Sequence, residues 1–433
     1  MADRPPLCDG AATVTAGWMN LALIAGGVFD SPAIADVSVE NLGAASNAAG
    51  TLLRCHLVGS DGSAPAPESV IVKLPASSRV PVRVTKWLSL HKREYRYYRD
   101  IAPHTELRSP ALLYGDFDER THRYVLVLED LGHLECPSQV TGVDAGRAMS
   151  AVRAIARLHG RFWGKTDRAP TSGSYAVHGT TAGRVLHSAY ALALPRALDL
   201  FDDHFTARTR RLAESLAPLV ARHMAATDAG PRTFIHGDYR SENMFFGPAG
   251  SGEFAAIDWQ ASGIGSGLYD LAYFMGGSVL DEDRRRIEAA ALGEYHDIVR
   301  GLGVTDLTLA DCRRSYRRHM LDTLVVHVLG CRFLRLSDED TRELMSGVMQ
   351  RVLVAVEDLD AGEFLPDRGR SVRIGAILST LPLRAHRLMR LARRPGGPSA
   401  RRAPRGPQGQ GGNDGEADEG RTDGEHDADR APQ

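Results

Sequence analysis

The stretch that most restricts how this chain can fold is FIHGDYRSENMFF, residues 234–246, followed shortly by AAIDWQ, residues 255–260. Three apolar runs, TFI, MFF and FAAI, are too short for helices and read as strands. Between the first two lies a polar loop opened by a tight Gly-Asp turn. Two adjacent strands bracketing that loop, with a third ending in an aspartate, would bring Asp238, Asn243 and Asp258 into one cleft. A chance D-x-x-x-x-N is common; one set between apolar strands and followed by an aspartate at a strand end is not.

These residue types point to a particular chemistry. A carboxylate and an amide, hard and few, suit Mg²⁺ rather than zinc, because Mg²⁺ takes one or two protein oxygens and keeps room for phosphate and water. Asn243 and Asp258 are the candidate metal ligands. Asp238, left off the metal, can accept a proton from a substrate hydroxyl. Phosphoryl transfer from a nucleotide needs that division of labour.

A phosphotransferase must also hold a triphosphate. IADVSVENLG (34–43) reads as a strand running into a turn and AGTLLRCHLVG (49–59) as a second strand, joined by a small-residue loop, NLGAASNAAGT (41–51). Its backbone could approach phosphate closely, with Gly43, Ser46, Asn47 and Gly50 as candidates. A plain hairpin turn explains the same composition. SVIVKLP reads as a third strand carrying Lys73. Residues 83–101 read as a helix with Trp87, Leu90, Glu94 and Tyr98 along one side. Taken alone, Lys73 is a solvated strand end. With the loop before it and Glu94 on the next helix, it reads as a phosphate-facing lysine steadied by an ion pair. RYVLVLEDLG is a further strand. Helices are expected over 145–164, about 195–227, 282–301 and much of 308–358.

In order, the Gly-rich loop, VIVK, KREYRYY, LVLEDL, HGDYRSEN, IDWQ and LYDLAYF resemble the aminoglycoside-phosphotransferase branch of the protein-kinase-like fold. The closest likeness is to ecdysteroid-kinase-like and choline-kinase-like small-molecule kinases, over about residues 12–360. The resemblance implies an α+β, bilobal architecture: a small antiparallel-sheet N-lobe (1–131) that binds nucleotide and a mostly helical C-lobe (132–370) that carries the acceptor pocket. It implies ATP and Mg²⁺, with Asp238 as catalytic base, Asn243 and Asp258 on the metal, and Lys73 paired with Glu94. Glu129, Asp130 and Leu131 match a hinge whose backbone meets adenine. His236 would brace the loop from behind and Asp270 would brace its backbone. Arg240 would either touch transferred phosphate or, more simply, form a structural salt bridge. Trp259 and Gln260 replace the Phe-Gly of protein kinases, and no A-P-E segment follows. The implied acceptor is therefore a small-molecule alcohol (antibiotic, amino sugar, sterol or choline-like). The alternative is a pseudokinase-type protein that binds nucleotide or ligand without transfer. Segment 183–207 is a candidate wall of the acceptor pocket. Asp202 and Asp203 could meet a cationic acceptor there, or simply lie on a solvated face.

Composition narrows the class further. The chain is 43% hydrophobic and 24% charged over 433 residues, enough to bury large cores, and its net charge of -2 supplies no field favouring nucleic acid. The start, MADRPPLCDG, lacks the pattern of a signal peptide. Five scattered cysteines (8, 55, 136, 312, 331) contain no C-x-x-C pair, which argues against a disulfide framework and fits buried thiols in a reducing cytoplasm. Residues 371–394 form a basic amphipathic segment, expected to pack its leucines on the body; anionic membrane contact through 372–394 is the alternative. From Pro395 to Gln433 no Leu, Ile, Val, Met or aromatic residue occurs, so that tail is expected to be disordered. Nothing in the sequence specifies an oligomeric state.

Overall fold

The N-terminal sheet is built on alternation. In the computed structural model, which describes residues 5–8, 10–42, 50–60, 67–75, 88–177, 180–332 and 339–367, helix α1 (Ala16–Ala25) leads into strands β1 (Ile34–Asn41), β2 (Gly50–Gly59) and β3 (Ser69–Pro75). Helix α2 (Leu90–Arg96), β4 (Leu112–Phe117) and β5 (Tyr124–Glu129) follow. The strands form one antiparallel sheet in the order β1-β2-β3-β5-β4. Val70, Val72 and Leu74 on β3, with Val125 and Val127 on β5, pack against Trp18, Met19 and Leu23 of α1. Asn20 ties that helix to the sheet, since its buried amide donates to Ile34 O (2.7 Å) and accepts from Ala33 N and Ile34 N.

That alternation decides where Lys73 points. With Val72 and Leu74 facing α1, Lys73 must face the opposite side. It stands opposite Leu126 in the register, and opposed residues share a face. Leu126 belongs to the large core formed with Tyr97, Tyr98 and the helical lobe. Lys73 thus looks toward α2.

Helix α2 is shorter than the expected 83–101. Ser89, at φ 54° in the left-handed region, precedes it, and from Tyr97 to Ile101 the chain widens into a π-helical turn. Residues 76–87, including Trp87, lie outside the described residues, as do Gly43, Ser46 and Asn47 of the expected phosphate loop and everything from 368 onward. Strand β4 has no counterpart in the sequence reading above.

The rest is mostly helical: α3 (Ala145–Phe162), α4 (Thr180–Leu200), α5 (Ala207–Leu216), α6 (Val220–Thr227), then short strands β6 (Thr233–Ile235), β7 (Met244–Phe246), β8 (Phe254–Ala256) and β9 (Gly263–Gly265). Helices α7 (Gly267–Ser278), α8 (Asp281–Gly301), α9 (Leu309–Gly330) and α10 (Glu339–Asp358) complete it. The architecture is the bilobal protein-kinase-like one. The single helix expected near 195–227 is three, broken by a 3₁₀ turn at Asp202–His204 and by Pro218 in a second one at Ala217–Leu219. Asp202 and Asp203 are exposed in the first break, and Asp202 pairs with Arg210. No described helix is long and apolar enough to cross a membrane. Four cysteines are buried as expected, but Cys136 is exposed, its Sγ 3.5 Å from Glu242 O.

A buried cluster joins α6 to α9. His223 Nε2 lies 2.9 Å and His319 Nδ1 2.5 Å from the two oxygens of Asp322. Burial alone would raise the Asp322 carboxyl, but His223 and His319 hold it well below the usual carboxylate range. A carboxylate depressed in the folded state adds stability above its unfolded value, roughly 4, and loses it as the pH falls. Asp322→Asn is therefore expected to cost about 1–3 kcal/mol at neutral pH. It should also flatten the loss of stability below about pH 4; urea unfolding between acid and neutral pH measures both.

Candidate active site

Three-residue strands place the polar loop. The sequence suggests that TFI and MFF lie side by side, but β6 pairs with β9 and β7 with β8. The correction matters, because the β7–β8 register (Met244 opposite Ala256) sets Asn243 against Ile257, whose N–H donates to Asn243 O at 2.9 Å. Asp258 is the next residue. It sits at φ 62°, ψ 65°, strained for a residue with a Cβ.

The loop His236–Asn243 is held from behind. Asp270, fully buried in the first turn of α7, accepts from His236 N (2.7 Å) on one oxygen and from Gly237 N (2.9 Å) on the other. His159 of α3 reaches the same carboxylate through Nε2 (3.3 Å), and its Nδ1 meets the Tyr295 hydroxyl (3.0 Å). His236 Nε2 lies 2.9 Å from Ile257 O, while its Nδ1 accepts from Asp238 N (3.3 Å). One tautomer, with the proton on Nε2, serves both bonds. Gly237 has φ +83°, and a Cβ there would come within 2.3 Å of Ala261 O, so only glycine fits the turn.

On the open side Asp238 and Asn243 meet. Asn243 Nδ2 donates to Asp238 O (2.9 Å) and to Asp238 Oδ2 (3.1 Å). Arg240 Nε also reaches Asp238 Oδ2 (3.4 Å), and its Nη1 binds the Glu242 carboxylate and Gln139 Oε1 (3.2 Å). Arg240 is thus the salt-bridge residue. Burial would lower its pKa, and the charges of Asp238 and Glu242 raise it. The Tyr273 hydroxyl interacts with the Asp238 carboxylate, and burial together with that charge raises it well above its usual value. Tyr273 is stacked between Tyr269 (5.8 Å between centroids) and His327 (5.2 Å), which burial pushes down to about 4.

Across the cleft, Lys73 Nζ donates to Glu94 Oε1 (2.7 Å) and to Asp258 Oδ1 (2.9 Å). Burial would strip the lysine's proton, but the carboxylates of Asp258 and Glu94 hold it. Burial likewise raises Glu94, whereas at Asp258 the Lys73 ammonium overcomes burial and keeps the carboxyl low. Lys73, Glu94 and Asp258 thus form one charged unit joining the sheet, α2 and the end of β8.

At the expected hinge the side chains bind protein. Asp130 accepts from Arg54 (2.7 Å), Ser69 (2.8 Å) and Gly132 N (2.9 Å), and Glu129 from Arg108 (3.0 Å) and Ala111 N (3.1 Å). Leu131 packs on Leu134 and Ala255. Gly50 starts β2, where a Cβ would meet Leu74 O at 2.7 Å. Sequence reasoning missed His159, Gln139, Tyr273 and Gln260. Tyr273 and Gln260 lie inside quoted motifs, whereas His159 meets Asp270 from 111 positions away in the chain and carries no local signal.

Solved structures similar to this chain include a microcompartment-associated aminopropanol kinase (14% identity, covering 76% of this chain and 94% of that one, TM-score 0.46). An amicoumacin kinase in complex with AMP-PNP, Ca²⁺ and Ami is 13% identical, with 74% and 88% covered and a TM-score of 0.44. A Plasmodium vivax ethanolamine kinase is 9% identical, with 76% and 82% covered and a TM-score of 0.43. No curated protein matches the chain. The model of the phosphotransferase enzyme family (APH) matches residues 57–304, a span that takes in Lys73, Glu94, the His236–Asn243 loop and Asp258 and exceeds half of the 433 residues, and the chain accordingly belongs to that family.

Proposed function

We propose that this phosphotransferase moves the γ-phosphoryl group of ATP to a hydroxyl of a small-molecule alcohol, with Asp238 as the catalytic base. The observation that carries the reading is the partition of atoms around Asp238. Asn243 and Arg240 both bond Oδ2, so neither occupies Oδ1, the atom assigned here to the acceptor hydroxyl, with the Tyr273 hydroxyl beside the same carboxylate. The acceptor oxygen forms its bond to the γ-phosphorus as the bond to the bridging oxygen breaks. The hydroxyl proton passes to Asp238 and ADP leaves.

The residues fit a magnesium ion. Asn243 gives its amide nitrogen to Asp238, which leaves Oδ1 for a cation. Asp258 retains Oδ2 after Lys73 takes Oδ1. Among the described residues no group of three or more His, Cys, Asp or Glu could hold a metal. Two protein oxygens completed by phosphate and water is the number Mg²⁺ favours. When bound, the metal would neutralise phosphate charge. This chain's own residues do the positioning: Lys73 for the α- and β-phosphates, the Glu129–Leu131 backbone for adenine, and the His236–Asn243 loop for the base.

A binding protein without transfer would have no need of a competent residue at each of these positions, and this chain carries Lys73, Glu94, Asp238, Asn243 and Asp258 there. Incubating the full chain with Mg²⁺ and γ-labelled ATP against a panel of amino sugars, choline-like alcohols, sterols and antibiotics is expected to yield a labelled phosphate ester. The Asp238→Asn chain should yield none. Label incorporation that persists undiminished in Asp238→Asn would overturn the role given to Asp238.

A further inference from the structure

The residues after Asp258 form a strap, Trp259–Ser262, that grips α2 and the π turn at three points. The Trp259 indole stacks on the Tyr97 ring with centroids 3.5 Å apart and planes 5° apart. Gln260, 9% exposed, sets its side chain beside the Glu94 carboxylate. Ser262 O accepts from Arg93 Nη1 at 3.3 Å. Arg93, Glu94 and Tyr97 stand at i, i+1 and i+4, on one side of the helix. On its other side the strap meets the His236–Asn243 loop through the Gly237–Ala261 contact. The helix, the strap and the loop are one packed unit.

Within that unit two buried side-chain atoms are short of a hydrogen-bond partner, Ser241 Oγ in the loop and Glu94 Oε2 beside the strap. Glu94 Oε1 takes Lys73, but Oε2 is buried and has no hydrogen bond. A buried carboxylate oxygen left unpaired is costly. The polar groups around Glu94 are Lys73 from β3, Asp258 at the start of the strap, Tyr98 from the π turn, Tyr124 from β5 and Gln260. Gln260 is the one neutral amide among them. It lies beside the carboxylate yet outside full hydrogen-bond geometry to Oε2, so a small inward shift of the strap would complete the pair.

We propose that the Trp259–Ser262 strap is a built-in clamp that fixes α2 in its lysine-holding position. Gln260 is its positioning residue: with the small inward shift of the strap its amide pairs with Glu94 Oε2, and through Glu94 and Lys73 it sets nucleotide affinity without touching the nucleotide. The inference rests on the phosphotransferase reading, since only a nucleotide gives Lys73 a ligand to hold.

The test is isothermal titration of full-length chains with Mg²⁺ and AMP-PNP, with thermal melting recorded in the absence of nucleotide. Gln260→Leu is expected to weaken binding about tenfold, as loss of a hydrogen bond to a charged group implies, with little change in the nucleotide-free melt. Gln260→Glu keeps the shape, so folding is preserved, and sets carboxylate against carboxylate; it should weaken binding more. In Glu94→Gln the further change Gln260→Leu should add nothing, because the amide acts through Glu94. A packing role alone would leave Gln260→Glu at wild-type affinity and make the two substitutions additive; either result overturns the clamp while leaving the phosphotransferase reading intact. A wild-type chain that fails to bind Mg²⁺ and AMP-PNP would overturn both.

Discussion

Asp238→Asn is expected to lower kcat by about 10²–10⁴-fold, the usual contribution of a general base, while nucleotide affinity stays near the wild-type value. The substitution is nearly isosteric. Asn243 still donates to the main-chain carbonyl of residue 238, and Arg240 still has Glu242 and Gln139. What disappears is the basic oxygen. An amide in its place cannot take a proton from an alcohol, and its NH₂ group faces donors on one side. The residues proposed for adenine and phosphate, the hinge backbone and Lys73, lie elsewhere, so binding of Mg²⁺ and AMP-PNP should be retained. Steady-state kinetics with the best acceptor from the alcohol panel, beside titration with AMP-PNP, measure the two quantities separately. A kcat within a few-fold of wild type would remove Asp238 from the chemistry.

Asp270→Ala is expected to destabilise the fold by about 3–5 kcal/mol, the cost of breaking a buried charged network from one side. The carboxylate is fully buried and answers three donors: His236 N, Gly237 N and His159. Removing it strands two backbone N–H groups that water cannot reach. Asp270→Asn should do little better, because its NH₂ would face one of those N–H groups. Guanidinium unfolding followed by circular dichroism reads the loss. A variant within about 1 kcal/mol of wild type would show that the loop is held by something other than α7.

How much of this was legible beforehand depended on whether the determinant was local. The turn of Lys73 toward α2 follows from period-two alternation in SVIVKLP, and the pairing with Glu94 follows once α2 is placed. Asp238, Asn243 and Asp258 lie between apolar runs that no helix could use. The partners of those runs were not legible. A three-residue strand carries too little pattern to choose a neighbour, and β9 lies between β6 and the Tyr175–Val177 backbone, which bonds Ile264 and which Gly263 lets approach closely. A Cβ at Gly263 would lie 2.3 Å from Tyr175 O. The breaks at Asp202–His204 and Ala217–Leu219 were hidden because their flanks carry good helix formers; only Pro218 announces one of them. His159 and Gln260 were hidden for a different reason. Each acts on a group far away in sequence, so its role exists only after the chain is folded.

Every residue of α7 is buried, and that helix holds the amides of His236 and Gly237 through Asp270. An irregular surface loop ordinarily breathes first, exchanging its protons long before the interior does. Here those two amide protons hang from a helix with no exposed residue. Deuterium can reach them only when that interior opens, so the loop inherits the slow clock of the core, and a substitution in the core around α7 would register there as faster exchange.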